Sequence, residues 1–141
     1  DRVPYPDWAK AGHLIATPGN VVDYDAVRGL LRSWSTEYRV QEIGLDPWNA
    51  TDLTRRLQDE DGCVCVPIRQ GFASLSAPTK ALEAAILGRK LRHDGHPVLR
   101  WNVANVAVEQ DAAGNLKPSK KVSTERIDGV AALSTGPLND R

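Results

Sequence analysis

Apolar positions along this chain form helical stripes in some segments and near-continuous runs in others. Together they predict an α/β fold. Val27, Leu30, Leu31, Trp34 and Tyr38 recur at i, i+3, i+4, i+7 and i+11, one face of an amphipathic helix, with Asp23 placed to cap its first turn. The next run, VQEIGLDPWNA, brings Val40, Ile43 and Leu45 before Asp46, and Pro47, which has no N–H to donate, stops pairing there. A strand over residues 40–46 is expected, with Val40, Ile43 and Leu45 in or near the core and Asp46 at its carboxyl end. Leu53 and Leu57 lie one helical turn apart within residues 51–61, and Gly62 is placed to close that helix. Residues 63–67 are apolar and β-branched, bounded by Gly62 and Pro67. A helix of crossover length separates them from the first strand, so the two strands should pair in parallel as a βαβ unit.

Outside this unit the pattern is weaker. Residues 1–20 are rich in Pro, Gly and aromatics and read as a connector with little regular structure. Ser76 is placed to cap a helix carrying Leu82, Ala85 and Ile86, with Gly88 as its stop. Residues 96–105 fit helix or strand. VAVEQDAAGNLKPSK alternates on both sides of Ala113-Gly114-Asn115, which predicts a two-stranded hairpin. Ile127, Val130 and Ala131 make a short helical stripe with Asp128 in its first turns. The expected organisation is one domain: 1–22 connector, 23–136 core, 137–141 tail.

Composition adds bounds. The 141 residues are 41% hydrophobic and 26% charged, ordinary for one globular domain, and no apolar run approaches the ~20 residues of a spanning helix. No membrane partner is expected. DRVPYPDWAK lacks a signal pattern, and the absence of methionine suggests that Asp1 is a cut rather than a natural start. Formal net charge is zero, so nucleic-acid contact must come from local patches. Arg69, Lys80, Arg89, Lys90, Arg92 and Arg100 make the basic stretch. Cys63 and Cys65, at i and i+2 of a strand, are poorly placed to bridge each other, and a reduced cytosolic chain is the simpler inference.

Asp46 has two readings from its position. It caps the turn that follows, or it belongs to a crevice at the carboxyl end of a strand, where α/β sheets gather their ligands. With Asp128 it offers the paired oxygens that Mg²⁺ prefers, and a helix N-terminus near Asp128 eases the repulsion between two acids. A zinc site from Cys63, Cys65, His93 and His96 is the rival, although C-x-C and H-x-x-H fall outside the usual spacings. There is no G-x-x-x-x-G-K-[ST] to seat ATP and no G-x-S-x-G elbow. Trp34, Trp48 and Trp101 read as core; an exposed one would argue instead for stacking on single-stranded bases.

The blocks GLDPWNA, VPIRQGFASLSAPTKALE, LRHDGHPVLRWNVANVAV and STERIDGVAAL, in this order, resemble the nuclease domain of large terminase subunits from tailed phages, over nearly the whole chain. The resemblance implies an RNase H-like mixed sheet flanked by helices. It also implies an endodeoxyribonuclease that cuts concatemeric viral DNA with two Mg²⁺ or Mn²⁺ ions in the host cytoplasm, beside an ATPase domain, a portal and a small terminase subunit. Asp46 would be the second catalytic and metal-holding acid and Asp128 the third, with Arg69, Lys80, His93 and Lys121 on double-stranded DNA. The family's opening strands and first acid have no counterpart here. This implies a weak nuclease and an unpaired edge on strand 40–46 through which copies could associate. A non-catalytic DNA-binding or portal-docking module is the alternative.

Overall fold

In the computed structural model, which describes residues 3–136, Asp23 meets the expectation set for it. Its Oδ1 accepts from the backbone N–H of Asp25 at 3.0 Å and of Ala26 at 3.1 Å, and helix α2 (Tyr24–Glu37) follows. The chain divides into two compact units, Ala16–Arg69 and the remainder.

Within Ala16–Arg69, α2 is followed by strand β1 (Ile43–Leu45), helix α3 (Thr51–Asp59) and strand β2 (Cys65–Pro67). The strands pair in parallel, Ile43 opposite Cys65 and Leu45 opposite Pro67, so the βαβ unit forms as expected. Both are shorter than the pattern suggested. Ile43 N–H donates to Val64 O at 2.8 Å and Ile68 N–H to Leu45 O at 2.8 Å, at the two ends of the three-residue pairing. Val40 accordingly lies outside the strand and is exposed, not in a core. Among the described residues β1 pairs with β2 alone.

The core of this unit is Leu53 and Leu57, the latter 1% exposed. The α2 stripe is buried less than expected: Val27, Trp34 and Tyr38 are exposed and Leu30 and Leu31 half-buried, because a pair of three-residue strands has too little face to cover four helical turns. Instead α2 buries a cation, Arg28, at 7% exposure. Its Nε and one terminal nitrogen grip both oxygens of Asp61 at 2.6 and 3.1 Å, and the same nitrogen reaches Glu60 at 2.6 Å. Arg32 adds a second cation on Asp61 at 2.5 Å. This bidentate pairing ties α2 to the end of α3.

Hydrogen bonds from Arg28 and then Arg32 hold the Asp61 carboxyl below its ordinary range, at about 2. A depressed carboxylate stabilises the fold above its unfolded-state value and loses that contribution as the proton returns. The urea midpoint should therefore fall between about pH 4 and pH 2, and Asp61→Asn should flatten the fall. A wild-type midpoint constant across that window would remove this link as a source of stability.

The other unit opens on helix α1 (Tyr5–Lys10), where little regular structure was expected. Proline in the first turn costs nothing there because its missing N–H would be unpaired anyway. Tyr5 and Trp8 close on Trp101 of helix α5 (Pro97–Asn105), with ring centroids 5.6 to 5.9 Å apart in edge-on pairs. The ambiguous residues 96–105 are thus helical.

Helix α4 (Phe72–Leu87) starts five residues earlier than expected, with Gly71 and not Ser76 at its N-cap. Ser76 lies inside the helix, buried, and its Oγ accepts from Leu116 N–H at 3.2 Å. The serine is spent on the hairpin, not on the cap. Gly88 ends the helix as expected. Strands β3 (Val108–Gln110) and β4 (Leu116–Pro118) form the predicted hairpin, antiparallel with Glu109 opposite Lys117. Asp111 organises its turn: Oδ1 accepts from Ala113 N–H at 3.0 Å and Asn115 N–H at 2.8 Å, and Gly114 takes φ +80°. Helix α6 (Asp128–Thr135) closes the described chain, and Leu75, Leu82, Ile127 and Val130 are the buried apolar side chains. Residues 137–141, read as a tail, lie outside the described residues.

Candidate active site

Asp46 follows β1 directly, at the carboxyl end of the strand as expected. Its two oxygens are both engaged within the next three residues: Oδ1 accepts from Trp48 N–H and Oδ2 from Asn49 Nδ2, each at 3.1 Å. Tyr24 Oη of α2 donates to Asn49 O at 3.4 Å, anchoring the same turn. The capping role is therefore filled. It does not exclude a second one, since each carboxylate oxygen carries two lone pairs and uses one here. Trp48, expected in the core, is 82% exposed, because the proline-led turn carries it off the end of β1, which among the described residues pairs with β2 alone.

Asp128 is the first residue of α6, where the unpaired N–H groups favour a carboxylate. It is 63% exposed and forms an ion pair with Lys120. Ile127, the N-cap residue, has no side chain able to satisfy the helix start. Asn102 of α5 does so from outside: its Oδ1 accepts from Gly129 N–H at 2.8 Å and its Nδ2 donates to Arg126 O at 2.8 Å. One turn along, Asn105 Oδ1 accepts from Thr124 Oγ1 at 3.0 Å, and Ser123 Oγ accepts from Ala107 N–H at 2.9 Å. The segment carrying Lys120, Lys121 and Asp128 is thus fastened along α5 and the start of β3. A cavity of about 360 Å³ opens beside it, lined by Tyr5, His96, Trp101, Asn102, Arg126 and Asp128 among others.

Of the remaining sequence-derived candidates, Lys80 lies near Asp111, whose carboxyl is held below its ordinary range by the bonds from Asn115 and Ala113 and then by the Lys80 charge. Arg69, Lys80, His93 and Lys121 are all exposed, and His93 Nδ1 accepts from Gly95 N–H at 3.0 Å. His96, not His93, lines the cavity, and its ring meets His13 edge-on at 5.0 Å. Among the described residues no three of His, Cys, Asp and Glu gather into a metal-holding group, so the four-ligand zinc reading has no assembled site. The Cys65 thiol is pushed up by burial and then by the neighbouring Cys63, the opposite of what a thiolate ligand needs. Asn102 and Lys120 were not singled out in the sequence. The one available signal was the i, i+3 spacing of Asn102 and Asn105 on a helix, and only the location of their partner segment gives it meaning.

A family description, terminase large subunit, endonuclease domain, matches residues 1–136. The chain belongs to that family. The large terminase subunit of Enterobacteria phage HK97 is 36% identical over 143 residues, which cover 99% of this chain and 28% of that protein. Protein YmfN of Escherichia coli K12 is 36% identical over 132 residues, covering 92% of this chain and 29% of its own. The large terminase subunit of Lactococcus phage SK1 is 32% identical over 103 residues, 70% of this chain and 19% of that one. Among solved structures, the crystal structure of the HK97 bacteriophage large terminase matches with a TM-score of 0.87 at 35% identity, over 96% of this chain and 28% of that chain. The α/β class read from the sequence is the fold of that terminase segment. The chain spans under a third of the length of these relatives.

Divalent metal chemistry, implied by this terminase family, fits the kind of donor present. Asp128 is a solvent-exposed hard oxygen ligand balanced by a single lysine, and Asp46 keeps free lone pairs. Mg²⁺ asks for one or two carboxylates with water and substrate phosphate completing the shell, and an all-protein cage is unnecessary.

Proposed function

We propose that this domain is the DNA-cutting part of a phage packaging terminase: a metal-dependent endonuclease that hydrolyses the phosphodiester bonds of concatemeric viral DNA by a two-metal route. The match of residues 1–136 to the endonuclease-domain family carries this reading. Asp46 and Asp128 are the carboxylates proposed to hold Mg²⁺ or Mn²⁺. When bound, the metals activate water and stabilise the leaving oxygen. The chain's own residues supply position and charge. Asn49 and the Trp48 amide orient the Asp46 carboxylate, and Lys120 balances Asp128. Arg69, Lys80, His93 and Lys121 are proposed to hold backbone phosphates, which sets register on the duplex without reading its sequence. Double-stranded DNA, the terminase ATPase domain, the portal and the small subunit are the proposed partners, in the cytoplasm of the infected or lysogenic host.

The 141 residues alone are proposed to cut weakly and to associate through the free edge of β1. The absence, among the described residues, of any group of three metal-holding side chains motivates the first; a strand paired on one side motivates the second. The test compares these 141 residues with the longest natural polypeptide that contains them, on supercoiled plasmid with Mn²⁺. The longer protein should nick and linearise the DNA while the 141 residues lag by at least about tenfold, as loss of metal support does elsewhere. Equal rates would show that the two acids suffice. No cleavage by the longer protein, with DNA still bound, would favour the docking module. A strictly monomeric mass at high concentration would remove the association.

A further inference from the structure

We infer that Asn102 is a positioning residue for Asp128: by bonding the backbone on both sides of it, this buried amide fixes where the carboxylate points. The inference rests on the proposed metal-holding role of Asp128. Asn102 is 3% exposed on α5, and its two functional ends are both used on the turn that presents Asp128, Oδ1 on Gly129 N–H and Nδ2 on Arg126 O. Two opposed bonds from one planar amide fix both the position and the rotation of the segment between them. Asp128 Cα lies within that segment.

Gly129 is part of the same device. A Cβ at this position would meet Asn102 Oδ1 at 2.6 Å and Leu99 Cδ1 at 3.4 Å, so only glycine lets the α6 start approach α5 closely enough for the bond. The N-cap residue Ile127 makes no side-chain bond to this end of α6. The asparagine therefore supplies from a neighbouring helix what a local serine or aspartate would supply elsewhere. A local cap would satisfy the N–H groups without fixing the turn against α5. Capping across helices does both.

Residues that orient a metal-holding carboxylate typically cost about 10–100-fold in metal affinity or activity when removed. The test uses the longest natural polypeptide carrying this domain, with Asn102→Ala, Gly129→Ala and Leu82→Ala, the last a destabilising substitution elsewhere in the same unit. Two quantities are read: the Mn²⁺ concentration that half-broadens the Val130 amide resonance, next along α6 and present in every variant, and the Mn²⁺ concentration for half-maximal plasmid nicking. Asn102→Ala and Gly129→Ala should each raise both by about tenfold or more, whereas Leu82→Ala should lower the melting temperature and leave both unchanged. Unchanged metal dependence in a folded Asn102→Ala or Gly129→Ala protein would overturn the positioning role. Full cleavage by Asp128→Asn would instead overturn the reading of Asp128 on which it rests.

Discussion

Asp46→Asn should lower metal-dependent cleavage by about 10²-fold or more while the protein stays folded. The metal that Asp46 is proposed to hold would contribute several kcal/mol of transition-state charge stabilisation, and each 1.36 kcal/mol is a factor of ten in rate. The substitution is well matched to the local structure. An asparagine oxygen still accepts from Trp48 N–H, and only the second contact, with Asn49 Nδ2, turns from donor–acceptor into donor–donor. The stability cost is that of one exposed hydrogen bond, about 1 kcal/mol. Cleavage kinetics at saturating Mn²⁺, set beside thermal melting, separate the two. Retained cleavage would return Asp46 to the capping role alone. A melting loss large enough to account for the missing activity would leave the carboxylate's chemistry unsupported.

Leu57→Ala should destabilise Ala16–Arg69 by about 2–5 kcal/mol, the range for removing a buried leucine side chain. The upper half is expected. Leu57 is 1% exposed, and Leu53 is the other buried apolar side chain described in this unit, so little remains to collapse into the space. At roughly 4–8 °C per kcal/mol for a domain of this size, the melting midpoint should drop by about 10 °C or more. Gln58→Ala, one residue along and exposed, should move it by no more than a degree or two. A Leu57→Ala midpoint within about 3 °C of wild type would show that stability resides in the Arg28–Asp61 network rather than in the leucines.

What the sequence disclosed and what it hid follow from how local each signal is. Asp23 as a cap, Gly88 as a stop, the hairpin about Ala113-Gly114-Asn115 and the parallel pairing of Ile43–Leu45 with Cys65–Pro67 are all written in short stretches, and all are found. Ser76 misled because its hydroxyl has a partner 40 residues away in Leu116, and a serine inside a helix looks the same in sequence as one before it. The α2 stripe misled in the other direction: periodicity states which face is apolar, not whether anything exists to cover it. At the candidate site, Asp46 and Asp128 were visible as acids beside structural breaks and as members of recognisable blocks. Asn102 was invisible, because its meaning lies in backbone atoms of residues 24 and 27 positions on.

The ring contact between α1 and α5 bears on the order of folding. Trp8 and Trp101 are about ninety residues apart, and the whole of Ala16–Arg69 is threaded between them. Closing a flexible loop of that length carries an entropic penalty that grows with the logarithm of its length, and it must be met before the contact returns anything. Once the βαβ segment has formed, much of that loop is already ordered and its effective length is shorter. Docking of Tyr5 and Trp8 on Trp101 is therefore expected to follow formation of the βαβ segment, so that the first helix of the chain should be among the last to gain protection from amide hydrogen exchange on refolding.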